Sequence, residues 1–292
     1  MLKRVLKAGL TLGAVAAAGL YVVTLPATIA PEELGPHEVD LARGEAVFWA
    51  GGCASCHAAN SAEKLVLAGG VRLDSPYGVF VAPNISSHPE AGIGAWQEAD
   101  FVTAMLRGTS PAGGHYYPAF PYGSYAKMTL SDVRDLWGFL QTVPASDQVA
   151  DPNELSFPFD IRQSVGLWKL LFLTDAPILA DAPELGRYLV EGPGHCAECH
   201  TPRNLLGGLR TEIWMAGAPN PSGSGRIPNI TPSEAGIGSW TVEDIAYYLE
   251  SGFTPDFDSV GGSMSKVVEN TARMTPEERL AIAAYLKAIP AR

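Results

Sequence analysis

The chain has 292 residues, 47% of them hydrophobic and 17% charged, which suits one large domain or two of ordinary size and excludes a disordered chain. A net charge of −11, with only 20 basic residues, argues against nucleic acid as a partner. Four cysteines are too few for a disulfide scaffold.

At the N-terminus, Lys3, Arg4 and Lys7 precede an uncharged stretch that runs to Ala30. Ala8 to Leu25 is mostly Ala, Leu, Val and Gly. This run predicts a transmembrane helix within residues 1–30, a single anchor in the inner membrane. The basic flank would leave the N-terminus in the cytoplasm and the remaining chain in the periplasm. Thr28-Ile29-Ala30 offers the alternative of a cleaved signal peptide.

Beyond Ala30 the sequence repeats itself. Pro83-Asn84-Ile85 recurs as Pro228-Asn229-Ile230, and Gly92-Ile93-Gly94-Ala95-Trp96 recurs as Gly236-Ile237-Gly238-Ser239-Trp240. Cys53 recurs as Cys196, Asp100 to Gly108 as Asp244 to Gly252, and Phe139-Leu140 as Tyr285-Leu286. The repeat predicts two tandem domains, 31–150 and 181–292, around a linker at 151–180. Each unit reads as a helix before its cysteines (Val39 to Trp49, Pro183 to Val190), a Gly- and Pro-rich loop, a middle helix and a closing helix. Thr275, Pro276 and Glu278 form a capping box for the second closing helix, and Thr129 with Asp132 a weaker one for the first. No alternating strand run stands out, so the expected fold is all-α with much loop. In the linker, Phe157-Pro158-Phe159 is stiff, and Ile161, Val165, Trp168, Leu171 and Phe172 recur at helical spacing. This segment is expected to dock on the domains, at the least as a short packing helix.

The cysteines fall in Cys53-Ala54-Ser55-Cys56-His57 and Cys196-Ala197-Glu198-Cys199-His200. Cys-x-x-Cys-His is the pattern of c-type haem attachment. Two thiols one turn apart can each add to a vinyl group of one porphyrin, and the adjacent histidine then reaches the iron as its proximal ligand. A shared zinc site would not require a histidine after both pairs, and a thioredoxin-like redox pair requires a βαβ setting that is missing. Two covalently bound haem c groups are therefore expected, held by Cys53, Cys56, Cys196 and Cys199, with His57 and His200 on iron.

An electron-transfer haem fills its sixth position, usually with Met. Met105 reads as core, and Met215 lies close behind His200. In the first unit Met128 is the candidate and His115 competes with it. In the second, the repeat pairs Met128 with Met274, whereas Met264 follows the flexible Gly261-Gly262-Ser263 and can approach a metal.

At this point the residues resemble a known group: the di- and tri-haem cytochrome c subunits of periplasmic membrane-bound alcohol, gluconate and aldehyde dehydrogenases. The resemblance covers Gly44 to the end. It rests on Ala68-Gly69-Gly70, Ala82-Pro83-Asn84-Ile85, the two Gly-Ile-Gly-x-Trp runs, Tyr117-Pro118-Ala119-Phe120-Pro121-Tyr122, Phe157-Pro158-Phe159, His200-Thr201-Pro202-Arg203-Asn204 and Gly262-Ser263-Met264. It implies Met264 as the second axial methionine. The first-domain Met of that group often sits where this chain has Phe120, leaving Met128 as the substitute.

The resulting expectation is an electron-transfer subunit with no catalytic residues of its own. A partner dehydrogenase would deliver electrons, and a quinone, an oxidase or a soluble cytochrome would accept them. The competing expectations are a di-haem subunit of a terminal oxidase and a di-haem redox enzyme such as a peroxidase.

Overall fold

The computed structural model describes residues 2–58, 62–221, 223 and 225–292. Helix α1 spans Leu2–Val23. Among the described residues no helix is long and apolar enough to cross a membrane. This corrects the expected N-terminal transmembrane helix, and with it the single inner-membrane anchor. The reason lies in where the helix ends. Arg4 and Lys7 lie inside it, and the apolar remainder, Ala8 to Val23, falls short of the roughly 20 residues that a span needs.

The first repeat carries α2 (Pro31–Leu34), α3 (Leu41–Ala50), α4 (Cys53–His57), strands β1 (Arg72–Ser75) and β2 (Gly78–Val81), then α5 (Glu98–Arg107), α6 (Tyr122–Tyr125) and α7 (Leu130–Leu140). Strand β3 (Glu154–Leu155) and helix α8 (Ser164–Phe172) follow. The second repeat carries α9 (Glu184–Glu191), α10 (Ala197–His200), β4 (Ala218–Pro219), β5 (Arg226–Ile227), α11 (Val242–Ser251), α12 (Met264–Thr271) and α13 (Pro276–Ala288). The regular structure among the described residues is thus mainly helical, but not all-α. β1 and β2 form an antiparallel hairpin that β3 extends, and β4 pairs with β5. Strands of two to four residues are too short to show a period of two, so no sequence pattern marks them.

Local chemistry fixes the helix starts. The Asp40 carboxylate accepts from the Arg43 backbone N–H and starts α3. Thr275 and Glu278 complete the reciprocal box at α13. Thr129 accepts from the Asp132 N–H, but the Asp132 carboxylate makes no reciprocal bond to the Thr129 backbone N–H. It takes two bonds from Arg43 instead, at 2.8 and 2.7 Å.

Each repeat builds its own apolar core. α3 packs on α7 through Phe48, Val133, Leu136, Phe139 and Leu140, and α9 packs on α13 through Leu189, Val190, Ile282, Ala283 and Tyr285. The two cores meet at a polar seam. The Tyr188 hydroxyl donates to Asp132, the Arg43 guanidinium lies 3.7 Å from Glu278, and Arg273 stacks over the Trp49 ring at 4.0 Å. Helix α8 touches both repeats. Val165 is buried, Trp168 meets Tyr122 edge-on at 6.1 Å, and Phe172 lies against Gly208.

Candidate functional site

Both Cys-x-x-Cys-His segments open on a left-handed residue, Gly52 (φ +58°) or His195 (φ +38°), and then turn into one helical turn. The i, i+3 spacing places both thiols of a pair on one face. Burial pushes the Cys53 and Cys196 thiols up to about 12, and raises Cys56 and Cys199 as well. Both pairs are therefore buried, uncharged thiols. Among the described residues, no three His, Cys, Asp or Glu side chains converge on one point that could hold a metal ion.

The two histidines are oriented by the same device. His57 Nδ1 lies 2.8 Å from the Pro83 carbonyl, and His200 Nδ1 lies 2.9 Å from the Pro228 carbonyl. A carbonyl only accepts, so in each ring Nδ1 carries the hydrogen and Nε2 keeps a free lone pair. Burial lowers both histidine pKa values, which keeps the rings neutral. Neutral imidazole with a fixed tautomer is the form that ligates iron.

The loops that hold the proline carbonyls are built alike. Gly69 N–H donates to the His57 carbonyl at 2.7 Å, and Gly217 N–H to the His200 carbonyl at 2.8 Å. Both glycines are left-handed, at +74° and +80°. A side chain on either would meet the proline backbone, with a Cβ on Gly69 only 2.5 Å from the Pro83 carbonyl carbon and one on Gly217 2.9 Å from that of Pro228. Asn84 and Asn229 then turn the chain, each accepting at 2.8 Å from the backbone N–H two residues on. The repeated Pro-Asn-Ile triplet is therefore a histidine-orienting turn. Sequence reading found the triplet without its purpose; the glycine common to Ala68-Gly69-Gly70 and Ala216-Gly217-Ala218 was the available signal.

The methionines sort by position. Met128 and Met274 occupy equivalent places, each just before a threonine N-cap and each buried in the core of its repeat, 7% and 8% exposed. Met128 also lies beside Gly192 of the other repeat. Met264 is half-buried at the start of α12, against the second core. Phe120 sits among the rings of Tyr116, Tyr122 and Tyr125. His115 is committed elsewhere, since its Nε2–H donates to the Thr24 carbonyl at the end of α1 at 2.9 Å. Met105 and Met215 are core residues.

Paired thiols one turn apart, each followed by a neutral imidazole with its Nε2 free, fit the donor set of covalently attached haem and occur twice in one chain. The class defined is a c-type cytochrome with two haem sites. The family described as cytochrome c matches residues 41–144. A diheme c-type cytochrome of Cereibacter sphaeroides is 53% identical over 99% of both chains. The fructose dehydrogenase cytochrome subunit of Gluconobacter japonicus is 35% identical over 90% of this chain and 55% of its own. The cytochrome c subunit of the quinone alcohol dehydrogenase of Gluconobacter oxydans is 34% identical over 94% and 59%. The chain thus spans little more than half the length of those two dehydrogenase subunits. It belongs to the family of di-haem c-type cytochromes and dehydrogenase cytochrome subunits, and it carries two covalently bound haem c groups.

Proposed function

We propose that this chain is a periplasmic electron-transfer subunit that accepts electrons from a dehydrogenase catalytic subunit and passes them to a quinone, an oxidase or a soluble cytochrome. Two cytochrome c domains, 31–150 and 181–292, carry one haem each, and the linker 151–180 joins them. The bound haems supply a one-electron iron couple; the protein supplies ligands, dry walls and distance. His57 and His200 give iron their Nε2 lone pairs. Met128 and Met264 complete the two ligand sets and raise the potentials. The observation that supports the reading best is the pair of Pro-carbonyl–histidine devices. Each fixes a histidine tautomer with its Nε2 lone pair free, the form that iron ligation requires.

The test is capture of the tagged holo-chain from solubilised cell envelopes, followed by addition of a primary alcohol, gluconate or fructose. A co-purifying dehydrogenase should reduce both haems with one of these substrates, seen in the visible bands. Capture without any dehydrogenase, and no reduction by any substrate, would overturn the proposal.

A further inference from the structure

His195 holds a left-handed backbone, φ +38°, directly before Cys196. Its counterpart before Cys53 is Gly52, which adopts φ +58° at no steric cost. A side chain in this region costs energy, so the imidazole needs a compensating contact. It finds two across the seam. Nε2 lies 3.2 Å from the Gly51 carbonyl, which can only accept, so Nε2–H donates. The ring also meets Tyr125 edge-on at 5.8 Å. Gly51 stands two residues before Cys53, so this one hydrogen bond joins the two haem-attachment segments.

Each segment is also held by a residue of the other repeat. Asn270 Nδ2 donates to Ser55 Oγ, and Ser124 Oγ donates to Glu198 Oε1 at 3.3 Å.

We infer that His195 closes a bonded route for electron exchange between the two haems, running from Cys53 through the Gly52–Gly51 backbone, across the Gly51 carbonyl to the His195 ring, and on to Cys196. The inference rests on the electron-transfer reading above. Tunnelling decays more slowly along covalent and hydrogen bonds than across van der Waals gaps, and this route contains one hydrogen bond and otherwise covalent bonds. One electron leaves the reduced iron of one site and arrives at the oxidised iron of the other. No bond breaks and no proton transfers. His195 is a positioning residue, since it touches neither iron.

The test is His195→Gly in the holo-protein. Glycine accepts the left-handed backbone, so the variant removes the bridge without adding strain. After flash photoreduction, electron equilibration between the haems should slow several-fold. Haem content, both midpoint potentials and the iron–iron distance from pulsed EPR should stay unchanged. An unchanged rate overturns the inference. So does a slower rate accompanied by a longer iron–iron distance, because His195 would then be only a spacer. The measurement needs no dehydrogenase, so it can fail independently of the partner assignment.

Discussion

Asn270 donates a hydrogen bond to the Ser55 hydroxyl at 2.8 Å, so a residue of the second repeat holds one of the two residues between the cysteines of the first. The duplication makes this contact half of a pair. Glu198 takes the place of Ser55 in the second motif, and Ser124 takes the place of Asn270 in the first repeat; those two are also bonded. The repeats therefore meet about an approximate two-fold axis that runs between their attachment segments.

Removing the Asn270 side of this pair should loosen the seam without opening either core. Asn270→Leu should cost about 1 kcal/mol, the net worth of one hydrogen bond. In a denaturant-based cycle with Ser55→Ala, the two costs should not add, because both changes remove the same bond. Additive costs would show that Ser55 and Asn270 do not interact in solution.

Asp132 gives the seam an acid limit. Burial alone would raise this carboxyl, but the hydrogen bonds from Arg43 and Tyr188 take it below the ordinary carboxylate value. A carboxyl depressed in the folded state contributes stability above its unfolded pKa and loses it as pH falls through the folded value. This part of the stability should fade from about pH 5 downwards. Asp132→Asn should cost about 2 kcal/mol at neutral pH and flatten that slope in thermal unfolding. A variant with the wild-type acid slope would remove Asp132 as its source.

Gly69 and Gly217 should matter to the haems although neither touches iron. Gly69→Ala puts a methyl group into the Pro83 backbone from a left-handed residue, at a cost of about 3 kcal/mol from strain and overpacking together. Displacing the Pro83 carbonyl loosens the His57 ring, so the potential of one haem should shift along with the unfolding midpoint. Gly217→Ala should shift the other haem. Redox titration resolves the two, and a stability loss with both potentials unchanged would separate this loop from histidine orientation.

Methionine-to-leucine changes keep size and hydrophobicity roughly constant and so isolate ligation. Met264→Leu should lower one haem potential and abolish the associated methionine–iron absorption band. Met128→Leu should do the same at the other haem. Met274→Leu should leave both potentials in place and change only stability. A spectral change at Met274 with none at Met264 would transfer the second ligand and make the repeat alignment the better guide.

Cys-x-x-Cys-His, the tandem repeat and the capped start of α13 were determined by the sequence alone, because each depends on neighbours a few residues apart. The N-terminal run misled, because total hydropathy does not say where a helix ends, and this one stops at Val23, before the apolar run reaches Leu25. Only tertiary structure decided the rest. Strand β3 forms because the linker segment Glu154–Leu155 lies beside Gly78 and Val79. Asp132 leaves its capping box because Arg43 and Tyr188 bind it more strongly. The orientation of His57 depends on a carbonyl 26 residues away, and the bridge of His195 on one 144 residues away. Backbone carbonyls are common to all residues, so no residue type marks the ones that a fold will use. Their identity is set by which loops the two cores bring together.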